Sequence, residues 1–270
     1  MDLNTITEVM RPASADAVKE WPTGHAWLAG GTWLFSEPQV TTNTLVDLEA
    51  FKWPSLGILP DGLEIAATCK VAELDRLAAP PEWKAAPLFS ECCRAFLASF
   101  KIWNEATVGG NIVMSLPAGP MISLTAALEG VCTLWPRNGL PREVPMIDFV
   151  TGDHENVLAP GELLRSIFLP ATALKKRYAF RRFSLTHLGR SEVLLIGTVG
   201  RGEFVLTVTA STLRPVQLRF ENVPTAEELK GKLDQAIPFS LYLDDPHGSP
   251  PHRQHLTYYF AEQIRHSLAV

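Results

Sequence analysis

Leu28-Ala29-Gly30-Gly31-Thr32-Trp33-Leu34 decides how this chain reads, together with its echo Thr107-Val108-Gly109-Gly110-Asn111. Each stretch pairs two glycines with a threonine where an apolar segment gives way to a turn. Glycine admits positive φ and, lacking a Cβ, lets backbone N–H groups come close to an anion. A lone Gly-Gly-Thr is weak evidence, because most such turns need only backbone freedom. Two of them, far apart in sequence, are expected to converge on one elongated, phosphate-bearing ligand.

Ahead of the first pair, Arg11-Pro12-Ala13-Ser14 predicts a Pro-led turn. Ser14 is the candidate cap of a short helix with Ala17, Val18 and Trp21 on one face, stopped by Pro22 and Gly24. Ala26 to Ala29 reads as a short buried strand, and Thr44 to Leu48 as its parallel neighbour, which suggests a small α/β lobe. Leu63 to Ala67, after the Asp61-Gly62 turn, reads as a strand. Val71 to Leu77 and Ala85 to Phe100 are expected helices, the second with Leu88, Cys92, Ala95 and Ser99 at helical spacing. Beyond the second Gly pair comes a helix over Met121 to Leu128, stopped by Gly130. Val131 to Trp135 is a strand, and Asn138-Gly139 signals a two-residue hairpin. Lys175-Lys176-Arg177 reads as a solvated linker.

After that linker the character changes. Val193 to Val199 and Phe204 to Thr209 flank Gly200-Arg201-Gly202 as an antiparallel hairpin, with Val216 to Phe220 as a third strand. Thr225-Ala226-Glu227-Glu228 is a capping-box helix start. Ser249-Pro250 opens a final helix with Leu256, Tyr259, Phe260, Ile264 and Leu268 down one side. The expected second domain is a three-stranded meander covered by two helices.

Composition narrows the function classes. Hydrophobic residues are 46% and charged residues 20% of 270, ordinary values for a globular chain able to bury a core. No apolar run reaches the roughly 18 residues of a membrane span. Met1 to Thr5 lacks the basic start of a secretory signal, so the cytoplasm is the expected location. A net charge of −5 argues against a nucleic-acid surface. The four cysteines, Cys69, Cys92, Cys93 and Cys132, form no C-x-x-C, so they read as buried thiols rather than ligands of zinc or iron–sulfur clusters. No G-x-G-x-x-G, P-loop, H-E-x-x-H or G-x-S-x-G is present. His247, His252, His255 and His266 read as solvent-facing, and Asp148, Asp153 and Glu155 as surface charges.

Longer stretches carry a family resemblance. Leu28 to Thr32 resembles the "A-G-G-T" signature of the FAD-binding subunit of molybdenum hydroxylases, the group of xanthine dehydrogenase and the carbon monoxide dehydrogenase medium subunit. Ile102 to Ile112 is similar to that family's "IRNxATIGGNI", and Pro160 to Ile167 to its "PGELLxxI". Asp245-Pro246-His247-Gly248-Ser249 with Arg253 resembles "D-x-H-G-S-x-x-Y-R", and Arg11 to Ser14 fits the family's opening. These matches arrive in family order over nearly the whole chain.

The resemblance implies an α+β fold. A two-lobed FAD-binding domain of the vanillyl-alcohol-oxidase (PCMH) type would span 1–174, with lobes of about 1–50 and 51–174, followed by a C-terminal domain over 175–270. Trp27, Leu28, Ala29, Gly30, Gly31, Thr32, Trp33 and Leu34 would form one FAD loop, and Thr107, Val108, Gly109, Gly110 and Asn111 the other. Leu164 falls at the family's apolar residue beside the flavin ring, and Arg181 where the family often has a lysine near it. Two positions depart from the pattern: Trp33 stands where the family has Asp, and Pro120 replaces the Asp of "S-P-x-x-D", with Ser115 as a partial substitute. Trp33 reads equally as a core aromatic and as a flavin neighbour, and Arg181 equally as a surface ion-pair partner.

The function implied is electron transfer without a catalytic acid or base on this chain. A molybdenum cofactor would sit on a large partner subunit and two [2Fe-2S] clusters on a small one, in a heterotrimer able to form a dimer of heterotrimers. Electrons would pass through FAD to NAD⁺, a quinone or oxygen. The competing readings are a self-contained FAD-dependent oxidoreductase and a flavin-free assembly subunit.

Overall fold

The computed structural model describes residues 3–186, 189–200 and 202–269. Strands β1 (Glu8–Met10), β2 (His25–Leu28) and β3 (Thr44–Asp47) form a small sheet in the order β1-β3-β2, parallel throughout, as expected for Thr44 to Leu48. The expected helix after Ser14 is a single 3-10 turn, Ala15–Ala17, and the Ser14 side chain does not cap it. So short a segment cannot repay helix nucleation. An aromatic seam joins this sheet to the next. Trp21, Trp27, Phe51, Trp53 and Trp135 follow one another at ring separations of 4.4, 6.3, 5.1 and 5.5 Å. The Arg165 guanidinium sits 4.3 Å from the centre of the Trp53 ring.

The middle of the chain runs β4 (Leu56–Leu59), β5 (Gly62–Ala66), then helices α1 (Val71–Asp75), α2 (Pro87–Ala95), α3 (Phe100–Glu105), α4 (Val108–Val113) and α5 (Pro120–Ala127). It continues with β6 (Val131–Trp135), β7 (Arg142–Pro145), α6 (Met146–Phe149), β8 (Val150–Gly152), β9 (Glu155–Asn156), β10 (Leu163–Pro170) and α7 (Ala171–Leu174). The sheet order is β4-β5-β10-β6-β7, all antiparallel. Three expectations are corrected here. The helix over Ala85 to Phe100 is broken: α2 ends at Ala95, Phe96 turns extended, and the Trp103 indole donates to the Phe96 carbonyl at 3.2 Å across the break. Asn138-Gly139 lies in a longer connection, because the β6–β7 ladder closes at Leu134↔Arg142. Pro136 and Pro141 have no N–H to extend it. The left-handed residue ending α5 is Glu129 (φ +56°), with the Gly130 N–H donating to the Thr125 carbonyl at 2.7 Å.

The last sheet has four strands rather than three. β11 (Arg177–Phe183), β12 (Val193–Gly200), β13 (Glu203–Thr209) and β14 (Val216–Phe220) form a consecutive antiparallel meander. The turn residue Arg201 lies outside the described residues; the ladder closes at Gly200↔Glu203. Lys175-Lys176-Arg177 is therefore no solvated linker. Lys176 is buried and bridges Glu129 (3.0 Å) and Glu203 (2.7 Å), and Arg219 meets the same two carboxylates. Helix α8 (Ala226–Ala236) starts on the expected Thr225/Glu228 capping box, and α9 (Pro250–Leu268) follows Ser249. Leu256, Ala261, Ile264 and Leu268 of α9 are buried against one face of this sheet, while Tyr259 points outward.

Helix α5 is buried at all eight positions, packed against β12 and β13 of the last sheet and against α2, α4 and α6. Leu194, Ile196 and Ala210 of the last sheet join the same apolar core as the middle sheet. Ser123 and Thr209 share a 2.7 Å hydroxyl contact, and the Gln217 amide donates to the Ala126 carbonyl at 3.1 Å.

Candidate functional site

The chain leaves β2 at Leu28 and enters a tight loop. Gly31 takes φ +68°, Phe35 N–H donates to the Gly31 carbonyl, and Ser36 N–H to the Trp33 carbonyl, both at 2.8 Å. The N–H groups of Gly30, Gly31, Thr32, Trp33 and Leu34 have no acceptor among the described residues. Five consecutive backbone donors are thus left to solvent or to a ligand.

The second Gly pair is built differently from the first. Thr107 is the N-cap of α4, and its Oγ1 accepts from Gly110 N–H at 3.0 Å. Val108, Gly109 and Asn111 N–H donate to the carbonyls of Cys69, Ala67 and Thr107 at 2.8, 3.0 and 3.0 Å. These donors are all spent. The glycines serve close approach instead: a Cβ on Gly109 would lie 2.4 Å from the Ala67 Cβ. The two segments do meet. A Cβ on Gly30 would lie 1.8 Å from the Glu105 carbonyl oxygen, just ahead of Thr107.

Between them lies a cleft of about 400 Å³, lined by all of Trp27 to Leu34 and by Thr107, Gly110 and Asn111. Asn111 Oδ1 accepts from Met121 N–H at 3.0 Å, and its NH₂ has no partner among the described residues. Phe96, Leu97, Ile102, Met114 and Leu116 make much of the remaining wall apolar. Trp33 is 40% exposed, with its ring 6.0 Å from that of His154. Pro120 lines the cleft as the first residue of α5.

Five of the predicted residues do not line it. Val108 and Gly109 are buried in the first turn of α4, and Leu164 is buried in the core at 1% exposure. Ser115 is buried in a left-handed conformation (φ +53°), with its hydroxyl bonded to the Ile112 and Val113 carbonyls and accepting from the Asn156 amide. Arg181 turns onto α9, donating to Gln263 and Ser267 at 2.9 Å each.

Arg190 and Ser191, which the sequence did not single out, reach the cleft from the β11–β12 connection. Arg190 is the one charged side chain lining it among the described residues. The thiols stand apart from this chemistry: burial holds Cys92 well above the ordinary thiol range and pushes Cys132 up to about 12. Among the described residues no three His, Cys, Asp or Glu side chains gather where they could hold a metal ion. His252 is not simply solvent-facing, since its Nδ1 lies 2.6 Å from Glu192 Oε1. No helix is long and apolar enough to cross a membrane, among the described residues.

Comparison with known proteins bears on this geometry. Residues 6–172 match the family model described as the FAD binding domain in molybdopterin dehydrogenase. Xanthine dehydrogenase 2 of Arabidopsis thaliana is 28% identical over 124 residues, which is 44% of this chain and 9% of that protein. The match thus spans under a tenth of the curated relative's length. Among solved structures, quinoline 2-oxidoreductase from Pseudomonas putida 86 superposes with a TM-score of 0.81 at 19% identity, covering 100% of this chain and 98% of that one. Carbon monoxide dehydrogenase from Hydrogenophaga pseudoflava, solved without the Mo-pyranopterin moiety, gives 0.79 at 18% identity and 96% of both chains. These structures share the fold, and the family match over more than half of the length places the chain: it belongs to the FAD binding domains of molybdopterin dehydrogenases.

Proposed function

We propose that this chain is the FAD-carrying electron-transfer subunit of a molybdenum hydroxylase. The proposal includes the vanillyl-alcohol-oxidase (PCMH) layout, with lobes of about 1–50 and 51–174 around the cleft and a C-terminal domain over 175–270. One observation carries it: the Gly30–Leu34 loop, whose five N–H groups have no acceptor among the described residues, lines a cleft whose described lining has no carboxylate. A diphosphate needs such donors at short range. The Thr32 hydroxyl and the Asn111 NH₂ add polar contacts, and the apolar remainder suits planar rings. The residues present fit FAD.

Bound FAD supplies the one- and two-electron redox chemistry that such a subunit requires. The chain's own residues bind and orient. The described cleft lining contains no His, Lys, Asp or Glu, and a guanidinium stays charged, so nothing there serves as a general base. That favours an electron carrier over a self-contained oxidoreductase. The molybdenum cofactor is then assigned to a large partner subunit and the [2Fe-2S] clusters to a small one, in a cytoplasmic complex whose acceptor is NAD⁺, a quinone or oxygen. The optical spectrum of the purified chain tests the reading. A flavin spectrum, present at once or after adding FAD, supports it. A colourless chain that FAD does not reconstitute overturns it and favours the flavin-free assembly subunit. Co-purification with molybdenum and iron–sulfur chains tests the partner assignment.

A further inference from the structure

We propose that Arg190 is the cation that recognises the diphosphate of the bound dinucleotide, supplying the charge that the Gly30–Leu34 donors lack. The inference rests on the nucleotide reading above.

The residues around Arg190 are held in place. The Arg182 Nε donates to Ser191 Oγ at 2.7 Å, and its second arm donates to the Gly189 carbonyl. Gly189 N–H donates to the Thr186 carbonyl at 2.8 Å, and Glu192 N–H to the Phe183 carbonyl at 2.9 Å. The Glu192 carbonyl accepts in turn from the buried Arg253 guanidinium. Positions 189, 191 and 192 are thus pinned. The half-buried Arg190 side chain between them lines the cleft with neither a hydrogen bond nor an ion pair to any described residue. Arg182 is its positioning residue.

A partly desolvated guanidinium without a counter-charge is unfavourable. The described cleft lining has no carboxylate to offer one. The counter-charge therefore arrives with the ligand. In a flavin adenine dinucleotide the fixed negative charges sit on the diphosphate, while the adenine and the oxidised flavin ring are neutral. The planar, five-donor guanidinium fork matches phosphate oxygens two at a time. The N–H loop alone supplies partial charges only, so a formal cation from a separate segment completes the site.

The test uses the full chain, with ADP as a diphosphate probe lacking flavin and riboflavin as a flavin lacking phosphate. Calorimetric titrations on wild type, Arg190→Ala and Arg190→Lys are paired with melting of the ligand-free proteins. Arg190→Ala is expected to weaken ADP and FAD by about 10- to 100-fold, as for the loss of charged hydrogen bonds. Riboflavin should stay within about twofold, and Arg190→Lys should recover part of the loss through its point charge. The ligand-free variant should melt no lower than wild type, because an unpaired charge has been removed. Unchanged ADP affinity, a parallel loss for riboflavin, or a lower ligand-free melting point overturns the assignment. A wild-type chain that binds ADP through Arg190 but neither FAD nor riboflavin overturns the flavin reading and leaves the Arg190 assignment standing.

Discussion

Replacing Gly30 with alanine tests whether the two glycine-bearing segments act as one structure. The new Cβ would stand 1.8 Å from the Glu105 carbonyl oxygen, 2.7 Å from its carbon and 3.2 Å from the Ala106 Cα, where ordinary contact begins near 3.4 Å. The loop must retreat by about 1.6 Å, because the opposing atoms are backbone and cannot rotate away. That backbone is also held: Ala106 N–H donates to the Ile102 carbonyl at 2.6 Å, and the Ala106 carbonyl accepts from Val71 N–H at 2.9 Å. Overpacking of this kind costs about 1–3 kcal/mol, and the pinned partner puts Gly30→Ala at the upper end. For a chain of this size that is a fall in Tm of about 5–10 °C. A retreat of that length also carries the loop's N–H groups out of hydrogen-bond range of a phosphate. Losing one or two charged hydrogen bonds, at about 1.5–3 kcal/mol each, weakens FAD at least about 10-fold. Melting curves with and without FAD, plus a flavin titration, measure both effects. Gly110→Ala is the comparison, since its Cβ would touch only the Thr107 hydroxyl at 2.9 Å and put at risk one N-cap bond, worth about 1 kcal/mol. A Gly30→Ala chain that melts within about 1 °C of wild type and binds FAD as tightly refutes the contact argument.

Arg182→Ala releases Gly189 and Ser191, so ADP affinity should fall at least about threefold although Arg182 does not line the cleft, with calorimetry as the check. Gly231→Ala lies within α8 and its Cβ meets nothing, so the variant should gain about 0.5–1 kcal/mol in urea unfolding. The Arg142 guanidinium donates twice to Glu162 at 2.7 Å and holds its carboxyl below the usual carboxylate range, helped by Ala159 N–H. A lowered folded pKa means a stabilisation complete above the unfolded carboxylate value, about pH 4.3, and lost as pH falls through the folded one. Glu162→Gln should therefore destabilise the chain at neutral pH, and its melting deficit should shrink as the pH drops below about 4.

What the sequence made legible was local. The Thr225/Glu228 capping box, the Val216–Phe220 strand and the Ser249-Pro250 helix start each depend on residues within a few positions of one another. The first Gly loop was legible for the same reason. Strand β11 was not: its arginines hide the alternation, and Arg177 and Arg181 find partners more than eighty residues along the chain. Arg181 and Arg182 show the consequence. Successive strand residues face opposite ways, so Arg181 reaches α9 while Arg182 grips the segment carrying Arg190. Arg181, read from the resemblance as a flavin neighbour, and Arg190, proposed above for the diphosphate, thus lie on segments that Arg182 ties together. The second Gly pair reads differently in the structure. Its motif is the same on paper, but Thr107 caps a helix, and the partners that consume its N–H groups, Ala67 and Cys69, lie about forty residues upstream.

Helix α5 carries a consequence for modular exchange. It has no polar side to give to water, and it draws its cover from α2 on one flank and from β12 and β13 on the other. The family-matched segment, residues 6–172, contains the helix but stops short of both strands. A chimera joined just after that segment would strip the β12 and β13 cover from a fully buried helix, leave Ser123 without its Thr209 partner and expose a sticky patch. Any graft that borrows the N-terminal portion must bring β12 and β13 along, or supply a substitute lid shaped to Leu194, Ile196 and Ala210.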